Sequence, residues 1–177
     1  MDEPNYEAMA ISIRTYDIGC EPSPSIPAET LLQNGWATYL LFFAVSKTLN
    51  EAGKLDDLRV AVLKCDHCIS ARFGYPNDEG LPEHPLYSAM AETESNILEV
   101  VDSPWCDDLL SQIDASARRL RPDHYDKAWA SRTMLRHFII LLKEKTFECI
   151  AESLAVERYA DTFDAAFAYV LKRMNEH

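Results

Sequence analysis

Short stretches of the chain alternate between hydrophobic and polar residues, which is the period of a half-buried β-strand. In the first of these stretches the apolar positions are Met9, Ile11 and Ile13. Segment 36–46 instead has large apolar residues on both faces, which is typical of a central strand covered from both sides or of a buried helix, and its aromatic and β-branched content favours the strand. Strands are predicted at residues 8–16, 36–46, 58–64, 69–73 and 96–102, and a hairpin at 137–142 and 147–151.

Two segments have apolar residues at the helical spacing of three and four, and each follows a capping signal. Ser103 and Pro104 combine an N-cap side chain with a proline in the first turn, which predicts that a helix begins there. Asp161 and Thr162 offer a cap for a second helix near the C-terminus. The predicted buried faces are Trp105, Leu109, Ile113, Ala117 and Leu120 in the first helix, and Phe163, Phe167, Val170, Leu171 and Met174 in the second.

These elements predict an α+β fold, with a mostly antiparallel sheet of five to seven strands and two main helices packed on one side of it. The helices do not alternate regularly with the strands, which argues against a doubly wound parallel sheet. The length of 177 residues favours a single domain over 1–177, because a second domain would be very small. Residues 1–7 are expected to be disordered or loosely attached.

The charge of the chain narrows the range of partners. Lysine and arginine number 17 against 29 aspartates and glutamates, so the net charge is −12 at pH 7. Nucleic acids and anionic membranes attract basic surfaces, and this composition therefore argues against both as the main partner. A protein with a basic surface is the partner that the charge favours, and the oligomeric state stays open.

The same composition suggests a compartment. The longest apolar run, 36–45, is about half of the roughly 20 residues that a membrane-spanning helix needs. The segment MDEPNYEAMA at residues 1–10 is acidic and has no apolar run, so a signal peptide is not expected. Five cysteines without an export signal are most simply reduced thiols, and we expect a cytoplasmic protein.

Segment 73–87, with the sequence FGYPNDEGLPEHPLY, combines two glycines and three prolines with many polar side chains. Its composition predicts a stiff loop rather than a regular element. One interpretation is that His84 and one or two carboxylates converge on a metal or a polar ligand. The other is that Asp78 and Glu79 cap a short helix or tie the loop to itself, with His84 as a buried hinge. The candidate ligand-binding residues are Tyr75, Asn77, Asp78, Glu79, Glu83 and His84.

This segment also carries a resemblance. FGYPNDE with HPLY downstream, followed by HFIILL and TFECIA, resembles a family of small bacterial proteins that share an FGxPNDE…HPL core and have no known activity. The resemblance covers residues 58–156, and the PNDE…HP stretch is its most specific part. It implies that the loop belongs to a natural family, and it carries no catalytic role to any residue.

Cys65 and Cys68 form a C-x-x-C motif, which can supply half of a tetrahedral zinc site. His84 is the third candidate ligand, so zinc or another divalent metal is the cofactor that these side chains could hold, although no motif requires one. The alternative is a turn between two strands in which the thiols pack as small apolar groups. A thioredoxin-like redox pair is disfavoured because 69–72 continues as a strand instead of beginning a helix.

A cysteine–histidine dyad is a further candidate for nucleophilic chemistry. Cys149 and His137 stand on opposite arms of the predicted hairpin, where the two side chains could approach each other. Cys149 shares its strand face with Phe147 and Ala151, however, and this pattern indicates a core position.

Two classes of function follow from these observations. The first is a binding, inhibitory or accessory protein that offers an acidic surface to a protein partner. The alternative is a metal-assisted enzyme or small-ligand binder that uses the Asn77-Asp78-Glu79 turn with His84. The sequence contains no complete catalytic motif, and whether the protein is an enzyme stays open.

Overall fold

The computed structural model describes residues 11–120 and 135–176. The predicted loose segment 1–7 lies outside these residues. The strands are β1 (Ser12–Thr15), β2 (Glu21–Pro22), β3 (Thr30–Gln33), β4 (Thr38–Leu49), β5 (Leu55–Asp66), β6 (Ser70–Gly74), β7 (Ile97–Val101), β8 (Arg136–Leu141), β9 (Thr146–Ala151) and β10 (Ser153–Ala160). The helices are α1 (Tyr87–Met90), α2 (Pro104–Leu120) and α3 (Phe163–Asn175), and a single 3-10 turn covers Leu81–Glu83.

The strands form two antiparallel sheets. The first sheet has the order β1-β7-β8-β9-β6, and the second has the order β10-β5-β4-β2, with β3 also paired to β4. The predicted α+β class is confirmed, and so are the hairpin of β8 and β9 and the starts of α2 and α3. Strands β2, β3 and β10 are not among those that the sequence pattern predicts.

The main hydrophobic core lies between the two sheets, because alternate residues of their strands point toward each other. Leu40 and Phe42 of β4 enter this core, whereas Tyr39 and Leu41 of the same strand pack on the opposite face under α3. Segment 36–46 therefore contains a central strand that is buried on both sides, as its sequence predicts.

The helices cover the two outer faces of this pair of sheets. α3 packs on the second sheet through Ala166 and Val170, while Phe167 and Leu171 of its predicted buried face are exposed. α2 packs on the first sheet through Trp105 and Cys106 of its first turn. The arrangement thus differs from one sheet with both main helices on one side, because the strands divide into two layers and each layer carries one helix.

The chain passes from the first sheet to the second between β1 and β2, and it crosses twice more at tight turns at one end of the strands. It leaves the second sheet after β5 at His67, which adopts a positive φ of 47°. It returns after β9 at Glu152, whose backbone N–H donates to the carbonyl of Asp66 at 2.9 Å. Nδ1 of His67 lies 3.0 Å from Oε2 of Glu152, so these two turns are joined to each other.

At the opposite end, β4 and β5 continue beyond the packed region as an exposed hairpin. We call residues 47–57 the β4–β5 arm, since all of them are exposed to solvent. Asn50 closes its turn by accepting hydrogen bonds from the N–H groups of Ala52 at 2.9 Å and Lys54 at 3.1 Å. Gly53 in this turn has a φ of 70°, a conformation that glycine adopts without steric cost.

Candidate functional site

The polar loop that the sequence singles out lies across the outer face of the first sheet and is fastened to the β8–β9 hairpin. Asp78 forms an ion pair with Lys143, and its backbone N–H donates to the Lys143 carbonyl at 3.3 Å. The Thr146 hydroxyl donates to the carbonyl of Pro76 at 2.8 Å. The turn after β6 is therefore held in place by the neighbouring hairpin.

Three of the other candidate residues are bonded within the loop. The Tyr75 hydroxyl donates to Glu83 Oε2 at 2.6 Å, and Asn77 Oδ1 accepts from the N–H of Gly80 at 3.0 Å. Glu79 is exposed. The structure thus joins Tyr75 to Glu83 but does not bring the six predicted binding residues together around one point.

A small cavity of about 120 Å³ lies beneath the loop, between Asn77, Asp78 and Lys143 on one side and Pro22 on the other. Pockets for small organic ligands are commonly about 300–1,000 Å³ in volume. The space that the predicted residues line is therefore small for a substrate of that kind.

His84, at the end of the 3-10 turn, is buried and forms a contact that the sequence pattern did not predict. Its Nδ1 accepts from the backbone N–H of Leu86 at 3.1 Å, so the proton of the neutral ring is on Nε2. This Nε2 faces Oε1 of Glu148 on β9 at 3.5 Å. The loop is thereby attached to the outer face of the first sheet through a histidine–carboxylate contact.

Glu148 continues into a buried polar network that reaches α2. Its Oε2 lies 3.0 Å from Nε2 of His137 on β8, and Nδ1 of the same imidazole lies 2.8 Å from the hydroxyl of Ser103. The Ser103 Oγ also accepts the N–H of Cys106 at 3.3 Å and so caps the start of α2, as the sequence predicts. The Ser103–His137–Glu148–His84 network therefore joins α2, β8, β9 and the loop.

The network has a defined protonation state at neutral pH. Burial lowers the pKa of His137 and keeps its imidazole neutral. Burial alone would raise the pKa of Glu148, but hydrogen bonds from His137 and His84 outweigh it and lower the pKa to about 2. Because the carboxylate is ionised, the His137 proton lies on Nε2, and Nδ1 accepts the hydroxyl proton of Ser103.

The order serine, histidine and carboxylate is the one that activates a serine nucleophile in hydrolases. Here, however, Ser103 is only 3% exposed and its hydroxyl caps a helix. The Trp105 and His137 rings pack at a right angle with a centroid distance of 5.0 Å, and the Arg72 guanidinium covers the indole at 4.1 Å. Ser103 and His137 also line the larger cavity of about 600 Å³ described below, but the hydroxyl is engaged as a helix cap, and the contacts of the network join the loop, α2 and the first sheet.

The predicted metal ligands lie on different sides of the first sheet. Cys65 and Cys68 belong to the core between the sheets, whereas His84 lies on the outer face against Glu148. Within residues 11–120 and 135–176, no group of three or more histidine, cysteine, aspartate or glutamate side chains is placed to hold a metal ion. The structure therefore does not bring Cys65, Cys68 and His84 together.

The Cys149–His137 dyad is not formed. In the β8–β9 ladder, Cys149 stands opposite Phe138, and both side chains point into the core. His137 points to the outer face, where it binds Glu148. The dyad interpretation is wrong because the two residues occupy opposite faces of adjacent strands.

A larger cavity of about 600 Å³ lies at the end of the strands where the chain crosses between the sheets. Glu99 on its wall accepts bonds from Arg14 Nε at 3.1 Å and Nη2 at 2.9 Å, and a second guanidinium, that of Arg136, binds the same carboxylate. Burial would raise the pKa of Glu99, but the arginines outweigh it and lower the pKa. Acidic residues Asp102 and Glu152 also line this space, so the wall does not present a single sign of charge.

The most exposed large hydrophobic residue in the described part of the chain is Trp36, at the tip of the β3–β4 hairpin, with 82% of its surface accessible. Asn34 Oδ1 accepts the N–H groups of Trp36 at 2.9 Å and Ala37 at 2.8 Å, and its own N–H donates to the Ala37 carbonyl at 3.0 Å. These three bonds fix the backbone of the tip, so the indole projects from a rigid support.

Phe167 and Leu171 of α3 are two further exposed apolar side chains, and they lie on the side of the helix toward β4. Phe163 contacts Phe43 of β4 at a centroid distance of 5.4 Å, whereas the Tyr169 hydroxyl donates to Glu157 of β10 at 3.1 Å. Helical spacing places Phe167 and Leu171 on the Phe163 side of the helix, away from β10. They are 39% and 44% exposed. We call Trp36, Phe167 and Leu171 the apolar surface of the second sheet.

Comparison with models of protein families, with curated proteins and with solved structures finds no significant match to this chain. None of the helices that the structure describes is long and apolar enough to cross a membrane. Any proposal about function therefore rests on the geometry of the described residues.

Sequence reasoning identified His84, His137 and Ser103 separately but missed Glu148, which connects them. The alternation of TFECIA could have indicated it, because a carboxylate and a cysteine there occupy opposite faces of one strand. Three segments noted in the sequence each contribute a residue to the network, namely His84 from HPLY, His137 from HFIILL and Glu148 from TFECIA.

Proposed function

We propose that this chain is a binding protein, and that a protein partner with a basic surface docks on the tip of the β3–β4 hairpin. The observation that carries the proposal is the indole of Trp36, 82% exposed on a backbone held by Asn34. Tryptophan is among the residues that contribute most to protein–protein binding energy, because its large ring loses much apolar surface to water when a partner covers it.

The support of the indole favours binding for a second reason. A partner that buries a side chain on a flexible loop must also offset the entropy of ordering that loop. The hydrogen bonds of Asn34 restrict the tip before the partner arrives, which lowers this cost. Phe167 and Leu171 of α3, the helix packed on the second sheet, are two further exposed apolar side chains.

Charge supports the choice of a basic partner. The net charge of −12 attracts a positively charged protein over a distance set by the ionic strength. The apolar surface then supplies short-range attraction, while the surrounding charge raises the association rate and disfavours acidic proteins. The partner class that fits both features is a protein with an apolar pocket bordered by lysine and arginine.

The test is a binding comparison between single variants. The full-length protein is immobilised and exposed to lysate at about 0.05 M and at about 0.5 M salt. Each partner protein that it retains is purified, and its affinity for the full-length protein is then measured by titration. We expect Trp36→Ala to weaken binding of the retained partner at least about thirtyfold, since interface tryptophans contribute about 2 kcal/mol or more. Higher salt should weaken the wild-type complex mainly through slower association.

Leu49→Ala is the matched control, because Leu49 is also a well-exposed apolar residue but lies in the β4–β5 arm at the opposite end of β4. It should leave the affinity unchanged. The proposal is overturned if Trp36→Ala binds as tightly as the wild type, if Leu49→Ala weakens binding equally, or if nothing is retained above the level of an empty matrix.

A further inference from the structure

Three of the five cysteines gather at the end of the core where the chain crosses between the sheets. Cys65 of β5 and Cys149 of β9 are buried in the core, and Cys68, in the turn before β6, is half-buried against it. The Cys149 thiol is within hydrogen-bonding reach of the thiols of both Cys65 and Cys68. The C-x-x-C turn thus meets a third thiol from the facing sheet.

The three thiols are not equally reactive. Cys68 lies at the edge of the core, where its Sγ donates to the carbonyl of Ser70 at 3.4 Å. A hydrogen bond from the Cys149 thiol, with further bonds from Thr38 and Ser70, outweighs burial and lowers the pKa of Cys68 to about 7. Burial raises the pKa of Cys149 well above its ordinary value. The half-buried thiol is therefore the one that ionises near neutral pH, and a buried, protonated thiol lies beside it.

We propose that Cys68 and Cys149 form a peroxide-reactive thiol pair, in which Cys68 is oxidised first and Cys149 then converts it to a disulfide. Oxidant-sensing cysteines in general combine an accessible thiolate with a second thiol close enough to react with the first product. Here a half-buried thiol at the edge of the core lies beside a second, buried thiol, and the reagent class is a hydroperoxide. This inference is independent of the proposed binding function.

The chemistry balances in two steps. In the first, the Cys68 thiolate attacks a hydroperoxide, so that an S–O bond forms, the O–O bond breaks, and an alcohol or water leaves with one added proton. In the second, the Cys149 sulfur attacks the Cys68 sulfenic acid. An S–S bond forms, the S–O bond breaks, and the hydroxyl leaves as water with the thiol proton. The two sulfur atoms together lose two electrons to the peroxide.

The experiment uses the full-length protein, reduced, freed of reductant and treated with one equivalent of hydrogen peroxide. Free thiols are then alkylated, and the product is mapped by mass spectrometry. We expect a chain that has lost two hydrogen atoms, with a peptide pair linked through Cys68 and Cys149. Dithiothreitol should restore both thiols.

Three variants make the assignment specific. Cys68→Ser should abolish the disulfide, and Cys149→Ala should leave a sulfenic acid on Cys68 that dimedone traps. Cys20→Ser is the matched control, because burial raises the pKa of Cys20 to about 11 and its thiol should not react. Thermal unfolding curves confirm that each variant is folded before it is oxidised.

A second measurement does not depend on a core variant. In the wild type at pH 7, iodoacetamide should alkylate Cys68 at least about a hundredfold faster than Cys20, because only the thiolate reacts. The proposal is overturned if the first disulfide links Cys65 to Cys68, if Cys20 or Cys106 is oxidised first, or if the folded protein forms no disulfide under these conditions.

Discussion

Glu148 shows how the environment of one residue can differ from what its position in the sequence suggests. A carboxylate that alternates with buried residues along a strand is normally expected on a solvated face. Here the loop and α2 cover that face, and the carboxylate accepts hydrogen bonds from two imidazoles. The sequence indicates the alternation, but it does not show that residues 73–87 fold back over the strand, because that contact depends on residues far apart in the chain.

Replacing Glu148 with glutamine tests the energetic role of the network. The amide has one acceptor oxygen in place of two and places an N–H₂ group against a ring nitrogen that also donates. We expect Glu148→Gln to lower the free energy of unfolding by about 3 kcal/mol at pH 7, since it leaves a buried polar group unpaired. Urea denaturation followed by circular dichroism measures the change.

Glu79→Gln serves as the control for that variant, because Glu79 belongs to the same loop but is exposed. Its effect should stay within about 0.5 kcal/mol. A Glu148→Gln protein as stable as the wild type would mean that the network does not fasten the loop.

At the scale of single elements, local signals predict the structure well where one short segment contains all the information. The cap of α2 at Ser103 and the cap of α3 at Thr162 are both observed, since each depends on a side chain and a backbone N–H only three residues away. The β8–β9 hairpin and the doubly buried β4 follow from their own apolar patterns for the same reason.

β10 was missed because its pattern changes phase. Its register with β5 shifts between Val156 and Arg158, so the alternation before Glu157 does not continue after it. The central Glu157 and Arg158 also make the segment look polar, although such charges are common on edge strands. β2 and β3 are two and four residues long, and they are too short to show a period.

The cap of α3 gives a prediction at this scale. The Thr162 hydroxyl accepts the N–H of Ala165 at 3.2 Å. Thr162→Ala should lower the free energy of unfolding by about 1 kcal/mol, because that N–H loses its partner. Thr162→Ser keeps the acceptor and should retain most of the stability. Chemical denaturation measures the free energy of unfolding of the two variants. An equal decrease in Thr162→Ala and Thr162→Ser would exclude capping as the cause.

For the whole molecule, the α+β class could be predicted but the division into two sheets could not. Strand patterns show which faces are buried, and both a single covered sheet and two facing sheets bury the same residues. The decision depends on where the chain crosses between layers, which it does between β1 and β2 and at the turns at His67 and Glu152. Among the candidate site residues, the sequence indicated the loop but not which partners its side chains would find across the first sheet. The single domain over 1–177 stays a prediction.

The stability of the folded chain in acid depends on all its titratable groups, and the buried network contributes through His137 and Glu148. The folded state holds the pKa of Glu148 at about 2, below its ordinary value of 4.5, and also lowers that of His137 below 6.5. Both groups thus bind protons less readily when folded, and their stabilisation is complete above the unfolded pKa values. It should fall as the pH drops below 6.5 for His137, and between 4.5 and about 2 for Glu148.

Urea denaturation at pH 7, 5.5, 4 and 3 measures this dependence. Glu148→Gln should flatten the decline below pH 4.5, because the titrating group is gone, whereas Glu79→Gln should follow the wild type. Parallel curves for the wild type and Glu148→Gln would show that other carboxylates govern acid unfolding.

The β4–β5 arm has a practical consequence for work on this protein. Residues 47–57 project past the packed layers, and their turn is closed by Asn50 within the arm itself. A reporter dye attached to a cysteine in place of Ala52 would therefore sit far along β4 from the Trp36 indole and outside the hydrophobic core. The fold thus provides an attachment point for surface capture that leaves the opposite end of the molecule unobstructed.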